Sequence, residues 1–396
     1  LNRLKSLSLN GITLRDYQKM AIAEAIVSER GLLDMSTGSG KTEVACGLIA
    51  CLQVKTLFIV HLRTLLLQSA RRISDRLGCP VAIFGNGSYQ WGDITVASIQ
   101  SLWRNLEGLK EHLKAVELVI VDEAHHVSNN SYFKVLKAIP NAFYRFGLSG
   151  TPLDRSDGSS LITVGLLGEV IHKTTSSDLI KRDILARPTI IFLPVPQDQA
   201  FPNREHLFLY DWREIYEKGI VYNDYRNDLI TRTVQTLLSR GKRNILVMVK
   251  EVQHGHELLA RFKTSGIPVA FLWSATSKTE LLETIREFRE GRAPVIISSP
   301  IFDEGIDIPE IDTIILAGGG ESVIKTLQRI GRGVRKAPHK TNLLVVDFMD
   351  LHHPILENHS RKRLRACQRE HEFEIINVLE EESYDRRRRS VPAHLR

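Results

Sequence analysis

Gly31-Leu32-Leu33-Asp34-Met35, running into Ser36-Thr37-Gly38-Ser39-Gly40-Lys41-Thr42, is the stretch that decides how this chain folds. A strand-sized run enters a turn with two glycines, and a helical pattern follows. A strand, turn and helix in this order aims backbone N–H groups at an anion, and the helix N-terminus adds the positive end of its dipole. Gly38 and Gly40 permit the turn, Lys41 is placed to reach the β- and γ-phosphates of a nucleotide, and Thr42 offers its hydroxyl to Mg2+. The pattern G-x-x-x-x-G-K-[ST] wants glycine at its first position, where this chain has Met35.

Further along, Leu118-Val119-Ile120-Val121 is apolar enough for a buried parallel strand and ends in Asp122-Glu123-Ala124-His125. At that strand end Asp122 can hold the metal through water, and Glu123 can orient or deprotonate an attacking water. Phosphoryl transfer needs charge stabilisation more than covalent chemistry, so further cations are expected from elsewhere in the chain. Gln328-Arg329-Ile330-Gly331-Arg332-Gly333-Val334-Arg335 supplies arginines at three-residue spacing, one face of a helix. Gly331 and Gly333 are poor choices for an ordinary surface helix.

β-rich runs alternate with helical patterns on both sides of these motifs, the signature of parallel sheets covered by helices. Strands are expected at 31–35, 56–60, 81–84, 94–97, 118–121 and 144–148, then at 244–249, 269–273, 295–298, 313–316 and 342–346. The fold class is α/β, with two similar sheet domains in tandem. The reading sets them at 1–187 and 226–350, joined by a linker over 188–225. Pro188, Pro194, Pro196 and Pro202 mark that linker. Residues 351–396 read as a charged helical extension ending in Arg386-Arg387-Arg388-Arg389, a run whose plain interpretation is a solvated tail.

With 396 residues and a net charge of +7, the chain suits a two-domain globular protein with a polyanionic partner. Cys46, Cys51, Cys79 and Cys367 have no metal-ligand spacing and read as reduced thiols. No membrane-length apolar run or charged leader with an apolar stretch occurs, so a cytoplasmic protein without a membrane partner is expected. Phe201, Phe208, Tyr210, Trp212 and Tyr216 cluster in the presumed linker, where packing is the commoner role for aromatics and stacking on bases the alternative.

Taken in order, the motifs from Leu14 to Arg335 resemble the superfamily 2 helicases and translocases of the DEAH-box type. Leu14-Arg15-Asp16-Tyr17-Gln18 resembles the adenine-recognising segment; 58–67 and 95–102 resemble motifs Ia and Ib, and 122–125 motif II. Ser149-Gly150-Thr151 resembles motif III, 245–250 motif IV, 297–309 motif V and 328–335 motif VI. The resemblance implies two RecA-like domains with ATP and Mg2+ in the cleft between them and a nucleic-acid strand across their tops. It implies that Arg15 and Gln18 contact the nucleotide together with the turn, that Gly305 and Asp307 approach the ribose, and that Arg332 and Arg335 act as arginine fingers. His125, Ser149, Thr151 and Gln328 would couple hydrolysis to movement, and Arg63, Thr64, Ser98 and Gln100 would hold the strand. Val221-Tyr222-Asn223 with Arg226-Asn227, and Gly305 to Pro309, are similar to the UvsW-like and XPB-like group and to restriction translocases. That similarity implies an ATP-dependent DNA helicase working on a single-stranded track beside forked or branched duplex. The alternatives are an RNA helicase and an ATP-binding clamp or remodelling module with little hydrolysis.

Overall fold

Short apolar runs separated by amphipathic helices find their stable arrangement as a sheet with helices on both faces. The computed structural model describes residues 7–61, 63–150, 160–196, 201, 210–299, 308, 310–320, 322, 329–331, 333–334, 340 and 342–377. Thr151, Gly305, Asp307, Gln328, Arg332, Arg335 and the Arg386–Arg389 run lie outside the described residues, as do the side chains of Arg63 and Thr64. By its internal packing the chain divides into one unit ending at Leu179 and a second beginning at Ile180.

The first unit holds an eight-stranded sheet: β1 (Arg30–Met35), β2 (Thr56–Val60), β3 (Ala82–Gly85), β4 (Ser88–Tyr89), β5 (Ile94–Ser98), β6 (Leu118–Asp122), β7 (Tyr144–Ser149) and β8 (Val170–Thr174). Their order is β4-β3-β5-β2-β6-β7-β1-β8, parallel throughout except for the β3–β4 pair. Every residue of β2 is buried, as a strand covered on both faces requires. Leu57, Ile59, Val119 and Val121 face one core together with Tyr132 and Leu136 of the helix Asn130–Lys137. The register sets Asp34 beside Ser149 and Asp122 beside Leu148, so β1, β6 and β7 end side by side. Open parallel sheets bind their ligands at such C-terminal strand ends.

The second unit holds a seven-stranded, all-parallel sheet: β9 (Arg187–Val195), β10 (Ile245–Met248), β11 (Val269–Leu272), β12 (Val295–Ser298), β13 (Thr313–Ile315), β14 (Asn342–Asp350) and β15 (Glu374–Asn377). Its order is β11-β12-β10-β13-β14-β9-β15.

Two domain expectations need correction. The stretch from residue 188, read as a linker on account of its prolines, begins with most of β9, which pairs with β14 along its whole length. Alternate residues of a parallel strand bond to opposite neighbours, and the Val195 carbonyl bonds toward β14, accepting from Leu351. Pro188 and Pro194 therefore turn their missing N–H to the other side, where β15 covers only Thr189 to Phe192. The prolines sit where no ladder donor is needed. The region after 350 is also no mere helical extension, because the helix Pro354–Gln368 leads into β15 and adds a strand to the same sheet.

The aromatic cluster divides by burial. Phe201 and Tyr216 pack with Ile215, Ile220, Val221 and Leu356, while Trp212 keeps 40% of its surface exposed. Phe208 lies outside the described residues.

Candidate functional site

β1 hands the chain into a turn and the helix Lys41–Leu52. Gly38 and Gly40 take φ of 85° and 82°, the left-handed region that only glycine enters freely, and Gly40 is the residue before the first helical turn. The turn is sewn in by backbone bonds: the Ser36 N–H donates to the Thr174 carbonyl of β8 at 3.0 Å, and the Ser39 N–H to the Ser36 carbonyl at 3.2 Å. Met35, in place of the pattern's glycine, is fully buried as the last residue of β1 opposite Thr174. A strand residue with its side chain in the core needs no glycine, so the departure leaves the turn intact.

The helix Asp16–Ser28 buttresses this turn from outside. Tyr17 Oη and Gln18 Nε2 both donate to the Ser39 carbonyl, at 2.7 and 2.9 Å, and Gln18 Oε1 accepts from the Arg15 N–H at 2.9 Å. A Cβ at Gly40 would lie 2.4 Å from Gln18 Nε2, so the glycine also makes room for that amide. Gln18, expected to read adenine, is buried and braces the phosphate turn, while Arg15 is exposed with its guanidinium 3.3 Å from Tyr17 Oη. In the first turn of the helix Lys41–Leu52, Glu43 is buried and pairs with Arg76 at 3.0 Å and Arg72 at 3.8 Å. Thr42 is half-buried in the first helical turn, next to Lys41.

Lys41 Nζ donates to the Met35 carbonyl at 3.2 Å, and its charge is felt by both acids at the end of β6. Burial and the adjacent Glu123 carboxylate push Asp122 up to about 6 against the pull of Lys41. Burial would raise Glu123 as well, but Lys41 and His125 hold it below the usual carboxylate range. Glu123 sits at φ 51°, ψ 54°, a left-handed conformation unusual for glutamate, and its N–H bonds to Asp122 Oδ1 at 3.1 Å. The strained residue after a strand end is the one assigned to the water. Buried hydroxyls of Ser36 and Ser39 have no hydrogen-bond partner among the described residues, which suits a site that completes its bonding with a ligand. A Mg2+–nucleotide therefore fits this arrangement: turn amides and Lys41 for phosphates, Thr42 and Asp122 for the metal.

His125 is buried, and its Nδ1 lies 3.3 Å from Glu123 Oε2 and 3.2 Å from Ser149 Oγ. One ring nitrogen thus faces both the proposed water-handling acid and the end of β7, and its tautomer sets which of them it serves. Behind it, His126 stacks on His61 at 3.9 Å between centroids, and burial with the neighbouring His125 lowers the pKa of His61. The residues expected on nucleic acid fare differently. Ser98 is wholly buried and caps the helix Ile99–Arg104, accepting from the Ser101 N–H and donating to Ser101 Oγ, so its hydroxyl serves the fold. Gln100 donates to the His61 carbonyl at 2.7 Å.

Tyr17, His61, His126 and Thr174 belong to this site and carried no role from the sequence. Tyr17 stood inside a quoted motif. Thr174 acts through its backbone, and no side-chain pattern could have marked it.

Comparison with known proteins agrees with this layout. Residues 11–154 match the family described as type III restriction enzyme, res subunit, and residues 228–337 match the helicase conserved C-terminal domain. The chain is 27% identical to the DNA 3'-5' translocase XPB2 of Sulfurisphaera tokodaii, over 85% of this chain and 81% of that protein. It is 28% identical to the ATP-dependent DNA helicase uvsW of Enterobacteria phage T4, over 84% of this chain and 68% of that one. Among solved structures, the type ISP restriction-modification enzyme LlaBIII bound to DNA superposes with a TM-score of 0.71 at 17% identity, covering 93% of this chain and 31% of that one, a likeness of fold. With both family segments in the expected order around a phosphate turn and an Asp-Glu-Ala-His strand end, the chain belongs to the superfamily 2 helicases and translocases, enzymes with nucleic-acid-dependent ATPase activity.

Proposed function

We propose that this protein is an ATP-dependent DNA translocase that unwinds or branch-migrates forked and branched duplexes. The observation that carries the reading is the convergence, at the ends of β1 and β6, of the glycine turn, Lys41 and the Asp122-Glu123 pair. Relatives named as a DNA translocase and a DNA helicase support DNA over RNA as the track. When bound, Mg2+ neutralises phosphate charge and fixes the geometry of the transferred group. Lys41 and the turn amides bind and orient the phosphates, and Thr42 and Asp122 would hold the Mg2+. Glu123, kept ionised by Lys41 and His125, orients the attacking water and takes its proton. His125 passes the state of Glu123 to Ser149 through their shared nitrogen.

Lys41 is one cation where three phosphates carry charge, so Arg332 and Arg335 are proposed to contribute to hydrolysis, and substituting either should collapse stimulated turnover. Gly305 and Asp307 are proposed for the ribose, and Thr151 and Gln328 for coupling. The phosphate-holding roles of Arg63 and Thr64 stand on the same footing.

ATPase rates measured in parallel with single-stranded DNA, duplex, a fork, a four-way junction and RNA test the proposal. Fork or junction DNA should stimulate most. Equal or greater stimulation by RNA would favour the RNA helicase, and no stimulation by any nucleic acid would favour the ATP-binding clamp.

A further inference from the structure

Outside the nucleotide site, the most unusual surface lies at the C-terminal strand ends of the second unit. Lys250 follows β10 and Gly318 follows β13, and the two loops touch: a Cβ at Gly318 would fall 2.6 Å from the Lys250 backbone nitrogen. The carbonyls of the β13 loop are turned inward. Arg226 Nη1 donates to Ala317 O at 2.6 Å, Tyr216 Oη to Gly318 O at 2.7 Å, and Arg363 Nη1 to Gly320 O at 2.6 Å. Drawing three carbonyl oxygens into the protein removes their negative ends from the surface beside an exposed lysine. That favours an anion there.

Trp212 stands next to this loop. Its ring lies 5.8 Å from Tyr216 and 5.0 Å from His359, and Lys250 Nζ is 5.6 Å from its centroid and 4.4 Å from that of Tyr216. Tyr216 and Phe201 of the same segment are 2% and 1% exposed, as core aromatics should be, yet Trp212 keeps 40% of its surface in solvent. Asp211 and Glu214, on the same helix as Trp212 or at its cap, bond each other's backbone amides in a capping box, and Glu251 follows Lys250. Beside Gly320 no described residue lies within 4 Å of where a Cβ would be.

We propose that Trp212 and Lys250 form a seat for one nucleotide of a single DNA strand, the indole stacking on an unpaired base and the ammonium meeting its phosphate. A flat π-face next to a flexible cation suits a nucleotide, because every base has a stacking face and every nucleotide a phosphate. The seat rests on the reading of the protein as a DNA translocase and adds to Lys250, the last residue of the segment resembling motif IV, a stacking contact by Trp212, which lies outside the family motifs.

The test uses the full chain and two probes of equal length, oligothymidylate and the same strand with abasic sites through its middle, measured by fluorescence anisotropy. Wild-type protein should prefer the base-bearing strand. Trp212→Ala should weaken binding to that strand roughly 5- to 150-fold, the span of base–aromatic stacking, with little change on the abasic strand. Trp212→Phe should retain part of the preference. Lys250→Ala should weaken both probes and reduce the salt slope by about 0.7, whereas the slope should be unchanged in Trp212→Ala. Binding of the base-bearing strand at wild-type strength by Trp212→Ala, or equal weakening on both probes, overturns the seat and leaves the translocase reading standing. If Trp212→Ala unfolds at a lower temperature than wild type, intrinsic fluorescence decides: oligothymidylate should quench wild type more than Trp212→Phe, and equal quenching overturns the seat. Failure of wild type to bind either strand or to show stimulated ATPase would remove the translocase reading and the seat together.

Discussion

The C-terminal strand ends of the two units solve the same problem with opposite charge economies. In the first unit, Lys41, Asp122, Glu123 and His125 come from short contiguous segments, and the buried Ser36 and Ser39 hydroxyls of the adjoining turn lack a hydrogen-bond partner among the described residues. In the second, the comparable edge is held by a buried ionic frame. Arg363 meets Asp347 at 2.9 Å, Arg226 meets Asp350 at 2.8 Å, and all four side chains are 2% exposed or less. A site that must bind and release a ligand leaves its bonding incomplete. A frame that must hold loop carbonyls pairs each buried charge with an opposite one, because a buried ion without its partner costs several kcal/mol, even though Arg226 Nη2 makes no hydrogen bond among the described residues.

The sharpest break of this contrast separates activity from stability. Glu123→Gln should keep nucleotide binding but lose roughly 10²- to 10⁴-fold in stimulated turnover, the usual worth of a positioned base, and Lys41→Ala should weaken both. Neither should lower the unfolding midpoint much. Wild-type turnover by Glu123→Gln in steady-state ATPase assays would remove the carboxylate from its role.

Arg363→Ala should do the reverse. It strands Asp347 in the core and should destabilise the second unit by about 3–5 kcal/mol in urea unfolding. A loss under 1 kcal/mol would mean that the frame is not what holds this edge.

A smaller effect comes from pH. His254 is fully buried, with Nε2 3.0 Å from Asn227 Oδ1, and burial with the nearby Arg226 holds its pKa well below the ordinary value. The folded form stays neutral while the unfolded chain takes up a proton below pH ~6.5, so stability should fall as pH falls. The slope is at most about 1.4 kcal/mol per pH unit for this group, and His254→Gln should flatten the decline between pH 7 and 5. An unchanged slope in the variant would assign acid sensitivity elsewhere. Least of all, Ser277→Ala removes the cap that accepts from the Glu280 N–H at 3.2 Å and should cost about 1 kcal/mol by the same unfolding assay.

The contrast also explains which parts of the molecule could be read from residues alone. The catalytic edge of the first unit was legible because its chemistry lies in contiguous strings: a glycine turn ending in Lys41 and a strand ending in Asp122-Glu123. Apolar runs such as Thr56–Val60 gave their strands directly, since a strand buried on both faces must be apolar throughout. The frame of the second unit was not legible, because Arg226 meets Asp350 from 124 residues away and nothing local to either marks the other.

The sequence by itself determined two parallel-sheet units, the phosphate turn and the acids beside it, since each follows from local periodicity, turn chemistry and charge. Only the tertiary structure decided that the proline stretch forms β9, that Ser98 and Gln18 serve the scaffold, and that Tyr216 is buried while Trp212 is not. Those outcomes depend on which neighbour covers which face. β9 tolerates its prolines because β15 is short, and no reading of residues 188–194 alone contains the length of a strand that begins at Glu374.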